Sequence, residues 1–217
     1  MLRLLLLIVA FLAPLPAATI VCLGDSLTAG RGLDEAEAYP ALVQDLARAD
    51  GLTWTVVNAG VSGDTSAGGL RRLGWVLKAK PTWIVVALGG NDGLRGQPPE
   101  ETRRNLDAIC TQATAAGTKV ALAGMQLPAN YGEEYRAAFT KLFPAIAAER
   151  ALPLLPFLLD GVGGKAALNQ ADGIHPTAEG QRIIAAHVYA FLKPLIESRP
   201  VNKSVDDEVK SKKVEIK

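Results

Sequence analysis

The sequence has few aromatic residues and almost no net charge. Aromatic side chains make up 6% of the 217 residues, and 23 basic residues nearly balance 22 acidic ones, for a formal charge of +1. A nucleic-acid-binding surface needs basic residues for the phosphates and often aromatic rings for the bases. The composition therefore argues against a nucleic-acid partner.

Cysteine is also scarce, with two residues, and neither Cys-x-x-Cys nor His-Glu-x-x-His spacing occurs. Two thiols alone cannot form a zinc cage, and we expect neither a metal nor a cofactor. Cys22 lies in a predicted strand and Cys110 in a predicted helix. We therefore favour a buried, unpaired pair of thiols over a disulfide, which is the alternative.

Three glycine motifs are missing as well. The sequence lacks Gly-x-x-x-x-Gly-Lys and Gly-x-Gly-x-x-Gly, so only the fold class would support nucleotide binding. It also lacks Gly-x-Ser-x-Gly, which excludes the nucleophile elbow of the α/β-hydrolases. No internal repeat is visible.

Hydrophobic residues make up 49% of the chain, which suits one folded domain. Apolar runs predict strands at 19–23, 53–58, 82–88, 119–125 and, more weakly, 152–157. Helical patterns lie between and after them at 39–50, 65–80, 98–116, 133–150 and 177–198. Asp64 is a capping candidate for the second helix, and Pro144 should kink or split the fourth. This alternation predicts an α/β fold with a mostly parallel five-stranded sheet.

The two ends of the chain differ from this central domain, 19–198. Residues 1–18 carry Arg3, an apolar run and then small residues, which is the order of a signal peptide and predicts a periplasmic or secreted protein. A retained membrane anchor is the alternative, although two prolines interrupt the run and leave too little for a stable span. Residues 199–217 read as a charged, solvated tail.

Polar residues and glycines follow the predicted strands, where ligands bind in parallel α/β folds. Ser26 lies in Gly-Asp-Ser after the first strand, which is either an ordinary turn or the position of a nucleophile. A nucleophilic serine needs a base, and the sequence offers His175 and His187. His187 falls within an apolar helix, whereas His175 follows Asp172, which could orient its ring.

An attacked carbonyl also needs hydrogen-bond donors for its developing negative charge. Three candidates follow neighbouring strands: the backbone N–H groups of Ser26 and Gly60, and the side-chain amide of Asn91. Taken singly, Gly60 and Asn91 look like turn residues. Taken together, they suit one oxyanion.

These residues carry a resemblance. Gly24-Asp25-Ser26-Leu27, Gly60, Gly90-Asn91-Asp92 and Asp172-Gly173-Ile174-His175 are similar to the four blocks of the GDSL or SGNH hydrolase family, in the same order. The similarity is greatest to its branch of secreted bacterial multifunctional enzymes with thioesterase, arylesterase and lysophospholipase activity. It spans roughly residues 19–195. The resemblance implies a flavodoxin-like three-layer α/β/α sandwich, a Ser26, Asp172 and His175 triad, and an oxyanion hole of Ser26, Gly60 and Asn91.

The sequence therefore predicts a serine hydrolase that cleaves small acyl esters and thioesters through an acyl-enzyme on Ser26. Room for an acyl chain could come from apolar residues near the strand ends, namely Leu94, Met125, Leu127, Tyr131 and Phe157 to Leu159. A carbohydrate acetylesterase on the same triad is one alternative, and a non-catalytic lipid- or partner-binding module is another. We expect a monomer.

Overall fold

The computed structural model describes residues 18–197. The predicted signal peptide, except for its last residue, and the predicted charged tail lie outside this range. Within it, no helix combines the length and the hydrophobicity that crossing a membrane requires.

Five strands form one sheet, and each pairs in parallel with its neighbours in the order β2-β1-β3-β4-β5. Their bounds are β1 Thr19–Gly24, β2 Thr55–Gly60, β3 Trp83–Ala87, β4 Lys119–Ala123 and β5 Leu154–Leu155. This is the flavodoxin-like order of a doubly wound fold, as predicted. The weakest predicted strand is also the shortest.

Seven α-helices complete the described part of the fold. They are α1 Ser26–Ala29, α2 Tyr39–Ala49, α3 Ser66–Leu77, α4 Gly90–Leu94, α5 Pro99–Ala115, α6 Glu133–Glu149 and α7 Ala178–Glu197. The connection from β1 to β2 runs in one direction along the sheet and the later connections run in the other. Because such crossovers are right-handed, α2 lies on one face with α7, and α3, α5 and α6 lie on the opposite face.

The central strands β1 and β3 are buried on both faces, so an almost continuous apolar sequence is what they need. At the edge, β2 alternates between more and less exposed residues. The strand order reverses between the parallel strands β1 and β3, since the connection after β1 leads to one side of the sheet and the connection after β3 leads to the other. Ligands bind at such a reversal in open α/β sheets, beyond the carboxyl ends of the strands.

Two local predictions differ from the structure. Asp64 does not cap α3, because the side chain of Thr65 accepts the hydrogen bond from the Gly68 N–H, while Asp64 pairs with Arg72. Pro144 lies inside α6, which continues unbroken to Glu149, so the prediction of a split is wrong. Pro144 and the residue four positions before it are both exposed, so water can solvate the carbonyl that loses its intrahelical partner.

The cysteine prediction is confirmed. Cys22 and Cys110 are buried and free. Burial raises the pKa of each thiol to about 12.

Candidate active site

The turn after β1 positions Ser26 at the start of α1. Asp25 is the N-cap of this short helix, and its Oδ1 accepts a hydrogen bond from the Leu27 N–H at 3.0 Å. Gly24 permits the helix to sit close to the strand, because a Cβ there would lie 1.9 Å from Thr28 Oγ1. Ser26 is therefore fixed at the carboxyl end of the central strand.

The loop before α7 brings a histidine to this serine. His175 Nε2 lies 2.8 Å from Ser26 Oγ, and His175 Nδ1 lies 2.6 Å from Asp172 Oδ2. Ser26 and His175 are buried, whereas the Asp172 side chain is 44% exposed. Three side chains from two distant parts of the sequence thus form one line of hydrogen bonds.

Asp172 is a strong acceptor in this loop. Its Oδ1 also accepts hydrogen bonds from the backbone N–H groups of Ile174 and His175, at 3.1 and 3.0 Å. The hydrogen bond to the His175 ring, followed by these two, lowers the pKa of Asp172 to about 2. An ionised Asp172 favours the tautomer with the proton on His175 Nδ1, so Nε2 is free to accept the Ser26 hydroxyl proton.

Backbone contacts hold the loop in this shape. The Gln170 N–H donates to the His175 carbonyl at 2.7 Å, and Asn169 donates from its side chain to the Val162 carbonyl at 2.8 Å. Gly173 has a φ of +75°, a conformation that favours glycine. The short spacing of Asp172 and His175 is thus closed into a turn that aims both side chains at Ser26.

Asn91 lies at the carboxyl end of β3, in α4. Its Nδ2 donates to the Asp64 carbonyl at 2.9 Å and to Asp25 Oδ2 at 3.2 Å. Asp25 is almost fully buried, and this burial raises its pKa to about 6, although the contact with Leu27 acts in the opposite direction. The amide is therefore oriented by two acceptors, and the contact with Asp25 is the longer one.

Gly60, the second expected oxyanion donor, lies outside the cavity lining. Gly60 is the last residue of β2, pairs with Gly24, and donates its N–H to Asn58 Oδ1 at 2.9 Å. It is not among the residues that line the cavity at Ser26, whereas Gly63 is. Gly63 has a φ of +80°, and no residue in the described range accepts a hydrogen bond from its N–H. Its place in a Ser-Gly-Asp turn was the sequence signal for it.

A cavity of about 460 Å³ opens beside Ser26, His175 and Asn91. Five of the predicted apolar residues line it, namely Leu94, Met125, Leu127, Phe157 and Leu159. Tyr131 instead donates its hydroxyl to the Leu94 carbonyl, and Leu158 is buried in the core. The apolar wall is therefore largely as predicted. Sequence reasoning missed the contributions of Arg31 and Arg136, which no motif marks.

Comparison with known proteins identifies the family. The model of the GDSL-like lipase/acylhydrolase family matches residues 22–183. The chain belongs to this family.

Individual relatives agree with the family assignment. The GDSL chain is 46% identical over 181 residues to esterase TesA of Pseudomonas aeruginosa, covering 83% of this chain and 90% of the relative. It is 44% identical over 181 residues to thioesterase 1/protease 1/lysophospholipase L1 of Escherichia coli, covering 83% and 86%. The chain is thus a GDSL-type ester hydrolase of the branch that the sequence predicted.

Solved structures of GDSL enzymes share the fold. The crystal structure of TesA matches with a TM-score of 0.79 and 47% identity, over 82% of this chain and 99% of that one. The psychrotrophic esterase EstA from Pseudoalteromonas sp., in a structure inhibited by monoethylphosphonate, matches with a TM-score of 0.79 and 36% identity, over 83% and 99%. The three-layer SGNH hydrolase fold is confirmed.

Proposed function

We propose that this GDSL hydrolase cleaves carboxylic esters and thioesters in two steps, through an acyl group carried on Ser26. The observation that supports this most directly is the line of hydrogen bonds from Asp172 through His175 to Ser26, at the wall of an apolar cavity. An acid that orients the ring, a base and a nucleophile thus follow one another in the order that acyl transfer needs.

In the first step, Ser26 Oγ attacks the substrate carbonyl carbon while its proton passes to His175 Nε2. The new positive charge on the ring is stabilised by Asp172, which does not itself take the proton. When the tetrahedral intermediate collapses, His175 returns the proton to the leaving alcohol or thiol, and the acyl group stays on Ser26.

In the second step, water takes the place of the alcohol. His175 Nε2 accepts a proton from the water as the oxygen attacks the acyl carbon. The second tetrahedral intermediate releases the carboxylic acid, and the proton returns to Ser26 Oγ. The protein supplies every proton acceptor, so the mechanism uses no cofactor.

We assign the oxyanion hole to the N–H groups of Ser26 and Gly63 and to Nδ2 of Asn91. Two features support Gly63 in place of Gly60: it lines the cavity, and its N–H has no acceptor among residues 18–197. Ser26 N–H is at the start of α1, where backbone donors lack intrahelical partners. Asn91 can turn one N–H from Asp25 towards the oxyanion, since that contact is the longer of its two. Each donor of this kind is worth about 3–4 kcal/mol of barrier.

The apolar wall favours acyl chains over acetylated sugars. The names of the relatives above include esterase, thioesterase and lysophospholipase. A relative from Vibrio mimicus, 36% identical over 170 residues, is called an arylesterase. We extend these activities to this chain: aryl esters, acyl thioesters and lysophospholipids are the proposed substrates. The signal-peptide pattern of residues 1–18 supports action in the periplasm or outside the cell.

Substitution of the nucleophile tests this proposal. Ser26→Ala should fold normally, with an unchanged melting temperature, yet lose hydrolysis of 4-nitrophenyl butyrate and labelling by a fluorophosphonate. His175→Ala should lose both activities as well. His187→Ala is the matched control, because His187 lies in α7 and is not among the residues that line the cavity. A Ser26→Ala protein as active as its parent would refute the assignment.

A further inference from the structure

Most arginines in the described part of the chain are paired with a carboxylate. These are Arg48, Arg72, Arg103, Arg104, Arg150 and Arg182. Within residues 18–197, no carboxylate pairs with Arg31, Arg71, Arg95 or Arg136. The unpaired arginines are not scattered evenly over the surface.

Arg31 and Arg136 both line the cavity that contains Ser26. Arg95 lies next to it, since its Nη2 donates to the carbonyl of Gly63, a lining residue, at 2.9 Å. Of the unpaired group, Arg71 is the one on the exposed surface of α3 with no such relation to the cavity. Three of the four unpaired arginines of residues 18–197 therefore lie at or beside the cavity that contains the nucleophile.

The backbone of Arg31 is fixed while its side chain is available. Gln170 donates from Nε2 to the Arg31 carbonyl at 2.7 Å and to the Pro176 carbonyl at 2.9 Å. These bonds tie Arg31 to the loop that carries His175. The guanidinium is exposed and makes no hydrogen bond to another residue of the described range.

Arg136 is placed where helix stability does not explain it. It lies in the first turn of α6, near the positive end of the helix dipole, where a cation is unfavourable. Its Nε donates to the Leu127 carbonyl at 3.1 Å, which directs the side chain to the cavity wall and leaves both terminal nitrogens available. A guanidinium so arranged can donate two hydrogen bonds to one anion.

The acidic residue that lines this cavity, Asp25, does not neutralise the two arginines. It is 3% exposed, and its two oxygens already accept from Leu27 and Asn91. An anion that entered the opening would therefore meet two cations and no accessible carboxylate from the lining.

We propose that Arg31 and Arg136 form a cationic rim that binds a phosphate on the leaving-group side of the substrate. The inference rests on the proposed ester hydrolysis and assigns two specificity-determining residues for substrates whose leaving group carries a phosphate. The acyl chain belongs on the apolar wall of Leu94, Met125 and Leu127, where a charge would be costly to desolvate. The exposed rim can contact a phosphate that keeps part of its hydration. Guanidinium is the side-chain group that best matches phosphate oxygens.

Two substrate pairs that differ by one phosphate test this inference. The first pair is monohexanoylglycerol and hexanoyl lysophosphatidic acid; the second is hexanoyl pantetheine and hexanoyl 4′-phosphopantetheine. The short chains keep the lipids monomeric. The measured quantity is kcat/KM for the phosphorylated member divided by kcat/KM for the unphosphorylated member. A general loss of activity cancels in this ratio, because both members react at Ser26.

We expect this ratio to exceed one in the parent enzyme for at least one pair, and to fall as salt is added. Arg31→Gln and Arg136→Gln should each lower it about three- to tenfold, and the double variant should lower it further. Arg71→Gln is the matched control, an unpaired arginine away from the cavity, and should leave the ratio as it is. If the variants lower the ratio for the first pair alone, the phosphate belongs to a lipid headgroup. If they lower it for the second pair alone, the phosphate belongs to a phosphopantetheine thioester.

If the ratio is the same in the parent and in both cavity variants, for both pairs, the proposal of a phosphate-binding rim is wrong. Binding to Ser26→Ala by calorimetry separates this failure from that of the proposed function. If no ester is hydrolysed, the proposed function fails. The rim is then judged on whether Ser26→Ala binds hexanoyl lysophosphatidic acid more tightly than monohexanoylglycerol, and on whether Arg136→Gln removes the difference.

Discussion

The reactivity of Ser26 depends on the orientation of one imidazole ring. An isolated serine hydroxyl is a poor nucleophile, and His175 makes it useful only if Nε2 is unprotonated and within hydrogen-bond distance. Asp172 secures both conditions through three accepted hydrogen bonds. With its pKa lowered to about 2, Asp172 stays ionised across the neutral and mildly acidic range.

Asp172→Asn should therefore lower kcat by about 10²–10⁴-fold, because an amide can stabilise the wrong ring tautomer and cannot balance the imidazolium charge. The Oδ1 of asparagine can still accept from the backbone at positions 174 and 175, so the loop should keep its shape. Steady-state kinetics with 4-nitrophenyl butyrate measures the loss. A variant with parental kcat would show that Asp172 is only a turn residue.

The same variant should change how stability depends on pH. The pKa of Asp172 is lower in the folded chain than its ordinary 3.8, so its contribution to stability is present above about pH 4 and is lost as the pH falls towards 2. The melting temperature of the parent should exceed that of Asp172→Asn more at pH 5 than at pH 2. A difference that is independent of pH would contradict the lowered pKa.

Ser26 and Gly63 differ in how well the sequence predicts their place in the site. Ser26, Asp172 and His175 are each marked by short patterns, and the structure brings them together as expected. Gly60 is the sequence candidate because it follows the second apolar run. The strand continues through Gly60, however, so the turn that reaches the cavity contains Gly63. An error of two residues in the predicted end of the strand, at 58 instead of 60, changes which amide is available.

At the scale of elements, Gln181 connects three helices around the nucleophile. It lies in the first turns of α7 and is 1% exposed. Its Oε1 accepts from the Tyr39 N–H at the start of α2, and its Nε2 donates to the Leu27 carbonyl in α1. Both backbone groups are at helix ends, where intrahelical partners are missing. One buried side-chain amide thus supplies hydrogen-bond partners to the backbone of two other helices.

Gln181→Met should lower the free energy of unfolding by about 2–4 kcal/mol, because it leaves a buried donor and a buried acceptor without partners at similar side-chain volume. It should also reduce activity, since Leu27 adjoins Ser26. Urea unfolding measures the stability. Arg182→Met is the control at the next, exposed position, and we expect it to change stability by less than about 0.5 kcal/mol. Equal stability of the two variants would contradict this account of α7.

The positions of helices and strands are predictable where their own sequence specifies them. The contacts between elements are less predictable, because they depend on residues far away in the sequence. The strands and main helices follow apolar periodicity with Gly and Pro at their ends, so their positions agree with expectation within a few residues. The role of Gln181 depends on α1 and α2, more than 140 positions away, and no local pattern marks it. The cavity positions of Arg31 and Arg136 escape prediction for the same reason.

At the scale of the whole molecule, the order of the strands explains why one site collects residues from the entire chain. Parallel pairing places all carboxyl ends at one edge, and the reversal between β1 and β3 opens a crevice there. Ser26 follows β1, Asn91 follows β3, and the loop before α7 covers the same edge. The topology follows from alternating strands and helices. The exact cavity shape depends on loops, which alternation does not specify.

The two thiols report on the integrity of this fold as a whole. Cys22 is in the central strand β1 and Cys110 is in α5, and neither has measurable exposure. Because burial raises their pKa to about 12, almost no reactive thiolate exists at neutral pH, and reagents need the core to open.

In native buffer we expect no rapid reaction with Ellman's reagent, and both thiols should react once urea unfolds the chain. Reaction should follow the loss of tertiary structure measured by tryptophan fluorescence, and a reducing agent should not shift the melting temperature. A fast phase of one thiol in the native protein would show that β1 or α5 opens locally, and that the sheet and its helices do not unfold as one unit.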